Sequence, residues 1–136
     1  MKFLLTSILF LFGLQNESNS HSAPQILDEY ISWTQTGKTR LNAPIFGAKV
    51  NLTFQFGEGK LESSSFYEYQ NKIEAAATSV SRSMEVSRFN LSGKTATAYI
   101  SDISGEGDFS LVHILSLRKN GKRWRIKAIK VIEGPE

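Results

Sequence analysis

From residue 79 onward, apolar and polar residues alternate with a period of two, a pattern that restricts this half of the chain to β-sheet. Ala96, Ala98 and Ile100, for example, share one parity and alternate with polar or aromatic neighbours. The dipeptide Asn120-Gly121 separates two later segments of the same kind and is the strongest short signal for a β-hairpin. The sequence therefore predicts at least four strands joined as an antiparallel meander.

The parity of the apolar residues changes twice along these strands, first near Ser87 and again near Lys127. A β-bulge produces such a change because it inserts one extra residue into one strand, which also bends the sheet. The two changes therefore predict a strongly bent sheet. The residues that define them are Met84, Val86, Phe89, Leu91, Trp124, Ile126, Ile129 and Val131.

The preceding part of the chain predicts two main helices with one strand between them. Apolar residues at three- and four-residue spacing indicate a helix from Pro24 to Gly37 and another from Ser65 to about Thr78. The alternating segment Lys49 to Phe56 predicts a strand, and the segment before it, which contains Pro44, predicts a short irregular helix or loop. The fold class is α+β: a cone-shaped single domain with N-terminal helices packed on a strongly bent, mostly antiparallel β-sheet.

The first residues have the pattern of a secretory signal peptide. One lysine precedes an apolar run that ends at Leu14, and small residues follow around Ser20 and Ser22. The run is shorter than the roughly 20 residues of a membrane-spanning helix. We therefore expect residues 1–22 to be a signal peptide, residues 23–136 to be one domain, and the mature protein to be periplasmic or secreted without a stable membrane anchor.

Composition excludes several kinds of site. The 136 residues include no cysteine, so a disulfide framework, a thiol nucleophile and a cysteine zinc site are absent, and we expect no metal or other cofactor. The two histidines, His21 and His113, lie far apart in the sequence. The net charge of +3 is small for a protein dedicated to nucleic acid, so we expect no nucleic-acid partner.

Three segments together resemble the nuclear transport factor 2-like superfamily, which includes SnoaL-type and ketosteroid-isomerase-type proteins, and most of all its lumazine-binding protein group. The likeness covers about Gln25 to Ile132, although Lys38 replaces a frequent Asp and His113 stands where relatives often have Asp. The three segments are Tyr30 to Gly37, Phe89 to Ala98, and Val112 to Gly121 followed by Trp124-Arg125-Ile126. This fold hosts enzymes as well as binding modules, so the resemblance leaves the function open.

The resemblance implies a conical pocket between the first helix and the concave sheet, and a homodimer. Because no known catalytic string is recognised, the favoured function is the non-catalytic binding of a small, largely apolar molecule, and enzymatic activity is the less favoured alternative. The residues proposed to line the pocket are Tyr30, Trp33, Phe54, Phe56, Tyr69 and His113.

His113 carries the enzymatic alternative. A histidine in an apolar cavity can act as a general acid or base near neutral pH, as in a small SnoaL- or isomerase-type enzyme. This hypothesis requires His113 to be reachable from solvent and hydrogen-bonded to Asp, Glu or Tyr. The structural alternative is a histidine buried in the core or at an interface. Candidate carboxylates for such chemistry are Glu62, Glu85 and Asp102.

A third hypothesis concerns the basic residues of the last predicted hairpin, between Arg118 and Lys130. They form either a surface for an anionic partner, as in an envelope interaction module, or a solvated face that protects a strand edge from aggregation. The basic residues are Arg118, Lys119, Lys122, Arg123, Arg125, Lys127 and Lys130.

Overall fold

The structure, a computed structural model, describes residues 21–39, 44–57, 59, 61–76, 82–104 and 110–134. Residues 1–20 of the predicted signal peptide and residues 40–43 of the predicted irregular segment lie outside these residues. The helices and strands, in chain order, are α1 (Ala23–Thr36), β1 (Phe46–Gln55), β2 (Glu62–Ser64), α2 (Phe66–Ala76), β3 (Arg82–Ser92), β4 (Thr95–Ser104), β5 (Ser110–Asn120) and β6 (Arg123–Glu133).

Helix α1 has well-defined ends, close to those predicted. The Ser22 hydroxyl accepts a hydrogen bond from the Gln25 backbone N–H, and the Gln25 side chain accepts one in return from the Ser22 N–H. This capping box satisfies two of the free N–H groups at the helix start. At the other end Gly37 has a φ of 76°, and its N–H bonds the Trp33 carbonyl. A left-handed glycine of this kind closes many helices.

The six strands form one mixed sheet in the order β2-β1-β6-β5-β4-β3. All neighbouring strands are antiparallel except β1 and β6, which are parallel. The sequence therefore predicted the meander correctly but missed β2, a strand of three exposed residues that is too short to show alternation. Strand β1 also begins at Phe46, three residues before the predicted start.

Both predicted bulges are present. The register of β3 against β4 shifts between Val86 and Arg88, and that of β5 against β6 shifts between Ser116 and Leu117, which places Lys127 at the shift. A third shift lies between β1 and β6, after Phe46. Bulges increase the local bend and twist of a sheet, and these three curl it around α1.

The last hairpin turns one residue later than Asn120-Gly121 suggests. Asn120 pairs with Arg123, so the two-residue loop is Gly121-Lys122, and Gly121 has a φ of 67°. Two-residue hairpin loops need a positive φ at their first position, which glycine adopts without steric cost. The β3–β4 hairpin uses the same solution, with Gly93 at 59°.

Helix α2 begins as predicted, since Ser65 accepts a hydrogen bond from the Glu68 backbone N–H. The helix ends at Ala76, and the predicted continuation to Thr78 lies outside the described residues. The expected apolar stripe of Phe66, Tyr69 and Ile73 is half-buried rather than buried. Helix α2 therefore covers the rim of the domain, whereas α1 occupies its centre.

The core lies between α1 and the concave face of the sheet. Strands β4, β5 and β6 supply most of it, and α1 contributes one face that is nearly inaccessible to solvent. Among the described residues no helix is long and apolar enough to cross a membrane. The most fully buried side chains are Ile26, Tyr30, Leu52, Ile100, Leu115, Ile126, Ile129 and Val131.

Two isoleucines of β4 provide a test of this packing. Ile100 has no exposed surface, whereas Ile103 is 41% exposed. Ile100→Ala leaves a cavity at the centre of the core and should lower the free energy of unfolding by about 3 kcal/mol. Ile103→Ala should change it by about 0.5 kcal/mol or less. Urea denaturation followed by circular dichroism measures both, and equal losses in the two variants would contradict the assignment of the core.

Candidate functional site

A chain of buried hydrogen bonds crosses the interior of the cone. The Asp102 Oδ2 atom lies 2.8 Å from His113 Nε2, and His113 Nδ1 lies 2.8 Å from the Tyr30 hydroxyl. The Tyr30 hydroxyl in turn lies 3.2 Å from that of Tyr69. We call these four residues the polar chain. It joins strands β4 and β5 to both helices.

Strand register explains how two of these residues meet. His113 on β5 is directly opposite Ile100 on β4, and Asp102 is two residues farther along β4. Asp102 therefore points to the same face as Ile100 and is a diagonal neighbour of His113, within reach of its ring. The two helices approach this face from above and contribute Tyr30 and Tyr69.

The direction of the hydrogen bonds depends on where the protons lie. With Asp102 ionised, His113 Nε2–H donates to it, because a carboxylate only accepts. With Nδ1 unprotonated, that nitrogen accepts from the Tyr30 O–H, and the Tyr30 oxygen accepts from the Tyr69 O–H. Asp102, His113 and Tyr30 are all at most 2% exposed, so these bonds form in a medium of low polarity. The polar chain can hold α1 in register with the sheet, and it connects a carboxylate to two phenols.

Aromatic rings surround the outer side of the polar chain. Trp33 packs edge-on against Phe46, with 4.9 Å between ring centroids, and Phe46 lies 4.7 Å from Phe66. Tyr69 lies 5.9 Å from Trp33 and 5.8 Å from Phe54. Tilted and edge-to-face rings at these distances attract one another beyond the area they bury. The cluster joins α1, α2 and β1 into one wall.

A cavity of about 500 Å³ opens beside this wall, and we call it the aromatic cavity. Trp33, Phe46 and Phe66 line it on the apolar side, while Gln70 and Glu74 of α2 provide polar groups. The Trp33 indole N–H donates a hydrogen bond of 3.2 Å to Glu74. The other lining residues are Gly37, Thr39, Pro44, Ile45, Gly47 and Ala48.

The structure brings together some of the residues that the sequence suggested for the site and places others elsewhere. Four of them, Tyr30, Trp33, Tyr69 and His113, lie together in the polar chain and the adjoining aromatic wall. Phe54 contacts Tyr69 from β1.

Phe56 lies beyond the end of β1, where it stacks on Phe54 and is 47% exposed. Of the three carboxylates considered, only Asp102 is buried, while Glu62 and Glu85 are exposed. Their exposure leaves Asp102 as the carboxylate next to His113.

Of the eleven residues that line the aromatic cavity, only Trp33 was proposed from the sequence, and the other five proposed residues do not line it; among those missed are Phe46, Phe66 and Glu74. Phe66 was recognised only as part of a helix stripe, and Phe46 was assigned to a loop. The parity of Asp102, which it shares with Ala98 and Ile100, was a signal available in the sequence for its inward orientation.

The chain is similar to solved structures in its fold, whereas no similarity to a family model or a curated protein is found in its sequence. An NTF2-like protein of unknown function from Silicibacter pomeroyi superposes with a TM-score of 0.65 at 16% identity, over 89% of this chain and 98% of that one.

Two further solved structures are similar, and both are NTF2-like proteins of unknown function. The one from Shewanella baltica gives a TM-score of 0.66 at 14% identity, over 93% of this chain and 98% of its own. The one from Methylobacillus flagellatus gives 0.67 at 12% identity, over 93% and 97%. The expected fold is thereby confirmed, whereas the narrower likeness to the lumazine-binding group stays a prediction. The chain has the fold of the nuclear transport factor 2-like superfamily.

Proposed function

We propose that this protein is an exported domain that binds a small, largely apolar molecule in the aromatic cavity without transforming it. The observation that carries the proposal is the cavity itself, about 500 Å³ lined by Trp33, Phe46 and Phe66. Small-molecule sites usually have this size range and combine apolar walls with a few polar groups. An aromatic ligand would contact the half-buried rings of Phe46 and Phe66, backed by buried Trp33, and Gln70 and Glu74 are placed to orient a polar substituent.

The polar chain supports a positioning role for His113. The ring is 2% exposed, and both of its nitrogens are hydrogen-bonded, to Asp102 and to Tyr30. An acid or base that acts on a substrate must come within hydrogen-bond distance of the proton it transfers. His113 has the hydrogen-bond partners that the enzymatic hypothesis required but lacks the exposure that it also required.

One observation favours an enzyme as the second candidate. Tyr69, the outer member of the polar chain, is half-buried and adjoins the aromatic wall. In this alternative the Tyr69 hydroxyl would accept a proton from a ligand and pass its own proton to Tyr30. Tyr30 would then protonate His113 Nδ1, and the Nε2 proton would move to Asp102.

Binding in the aromatic cavity is tested with the neutral, apolar fluorescent probe N-phenyl-1-naphthylamine. Phe66→Ala removes one wall of the cavity and should weaken probe binding by about ten-fold, since the lost aromatic contact contributes on the order of 1.4 kcal/mol. Phe56→Ala is the matched control, because Phe56 lies outside the cavity and should leave the dissociation constant within about two-fold. Fluorescence titration measures both constants.

The place of binding is decided by comparing a variant inside the cavity with one outside it. Equal weakening of probe binding by Phe66→Ala and Phe56→Ala would refute binding in the aromatic cavity.

The polar chain is tested by removing single hydroxyl groups. Tyr30→Phe leaves His113 Nδ1 without its partner in a buried setting and should lower the free energy of unfolding by about 1–3 kcal/mol. Tyr67→Phe, at a position 71% exposed, should change it by about 0.5 kcal/mol or less. If the chain only positions α1, Tyr30→Phe keeps probe binding within about two-fold once the protein is folded. An unchanged stability would refute the positioning role.

Export and homodimer formation are further parts of the proposal. The sequence pattern of residues 1–22 supports export, and exposed Val86 and Leu91 on β3 offer apolar surface that a second copy could cover. Expression of the full chain in a bacterium should yield a secreted or periplasmic protein that starts after Ser20 or Ser22, as intact mass spectrometry would detect. Leu9→Arg, which interrupts the apolar run, should prevent processing.

Light scattering of the processed protein should give the mass of a dimer, and a monomer at micromolar concentration would refute the assembly.

A further inference from the structure

We propose that a second concavity, separate in chemistry from the aromatic cavity, binds a soluble molecule that carries several phosphate groups. It has a volume of about 600 Å³, and we call it the basic hollow. Six of the 16 Lys and Arg residues of the chain surround it. Its lining residues are Gly47, Ala48, Lys94, Thr95, Arg118, Lys119, Asn120, Gly121, Arg123, Arg125 and Lys127.

The cations converge from separate parts of the chain. Lys94 comes from the β3–β4 turn, which a hydrogen bond from the Lys119 backbone N–H to the Lys94 carbonyl holds against β5. Strands β5 and β6 provide the other five. No acidic residue is among the lining residues, and none of the six cations forms an ion pair within the part of the chain that the structure describes. The positive charge of the hollow is therefore not neutralised by its own walls.

Strand register places like charges directly opposite each other. Arg118 on β5 pairs with Arg125 on β6, so the two side chains project from neighbouring positions on the same face of the sheet. Like charges in opposite positions destabilise an antiparallel pair. Folding therefore gains nothing from this arrangement, whereas an anion that contacts both groups would remove the repulsion.

Protection of a sheet edge does not explain the whole cluster. The edges of the six-stranded sheet are β2 and β3, and the hairpin of β5 and β6 lies between β1 and β4. Arg118 pairs with Thr95 on one side and with Arg125 on the other, so its backbone presents no open edge. Strand β1 pairs with β6 only from Ile126 onward, so edge protection remains a reading for Arg123 and Arg125 but does not account for Arg118.

The shape of the hollow favours a compact, highly charged ligand. The segment Gly47-Ala48, which bulges out of register with β6, forms one wall and leaves a concave surface rather than a plane. Gly47 lies against the stem of Lys127, where an added Cβ would be 3.6 Å from its Cδ. Concave sites that carry one sign of charge concentrate the field on a ligand of the opposite sign. Guanidinium groups match phosphate oxygens with paired hydrogen bonds, so several linked phosphates suit this set of donors.

Isothermal titration calorimetry with inorganic tripolyphosphate tests the proposal on the purified protein. We expect a dissociation constant in the micromolar range at about 50 mM salt, with an affinity that falls as salt rises. Arg118→Gln should weaken binding by about ten-fold or more. Arg88→Gln removes an equal charge from an exposed arginine outside the hollow, where it lies over the Tyr99 ring, and should stay within about two-fold of the original affinity.

Two further measurements separate this site from a structural or membrane role. Arg118→Gln should leave the urea midpoint unchanged or higher, because it removes one member of a like-charged pair. Vesicles of phosphatidylglycerol present single phosphates on a flat surface, and we expect them to bind more weakly than tripolyphosphate. Equal effects of Arg118→Gln and Arg88→Gln, a lower urea midpoint in Arg118→Gln, or binding to vesicles without binding to tripolyphosphate would overturn the proposal.

Discussion

The bends of the sheet are the constraint on which the rest of this structure depends. The register shifts at Ser87, at Lys127 and after Phe46 curl the six strands into a concave surface. Helix α1 fills that surface and loses nearly all solvent exposure on one face, including Tyr30. A flat sheet would leave α1 in contact with only a few side chains. Curvature therefore creates both the core and the enclosed space in which Asp102, His113 and Tyr30 meet.

The buried polar chain and the aromatic wall differ in how directional their contacts are. The hydrogen bonds of Asp102, His113 and Tyr30 have specific directions, so they allow few relative positions of α1 and the sheet. The aromatic contacts of Phe46 and Phe66 are tilted or edge-on and less directional, and these rings are only half-buried. The half-buried outer rings therefore lie between the buried hydrogen bonds and the solvent.

The two proposed sites share one backbone segment, although the side chains that line them differ in chemistry. Gly47 and Ala48 contribute to the aromatic cavity and also to the basic hollow. Aromatic side chains line one cavity and six cations line the other. The irregular start of β1, which the alternation of Val50, Leu52 and Phe54 did not reveal, is therefore the part of the strand that both proposals use. Irregular backbone lacks a period, and a period is what sequence reading detects.

The sequence by itself determined the local elements, because their signals are local. Alternation predicted β3 to β6, the change of parity predicted the bulges at Ser87 and Lys127, and apolar residues at three- and four-residue spacing predicted α1 and α2. Tertiary structure alone decided that Asp102 bonds His113, because the register of β4 against β5 depends on which inward-facing residues of the two strands pack together. It also decided that β5 and β6 lie inside the sheet order, because β1 returns to pair with β6 in parallel from Ile126 onward. A parallel pairing between the first and last strands of the chain depends on long-range burial, which no short sequence pattern encodes.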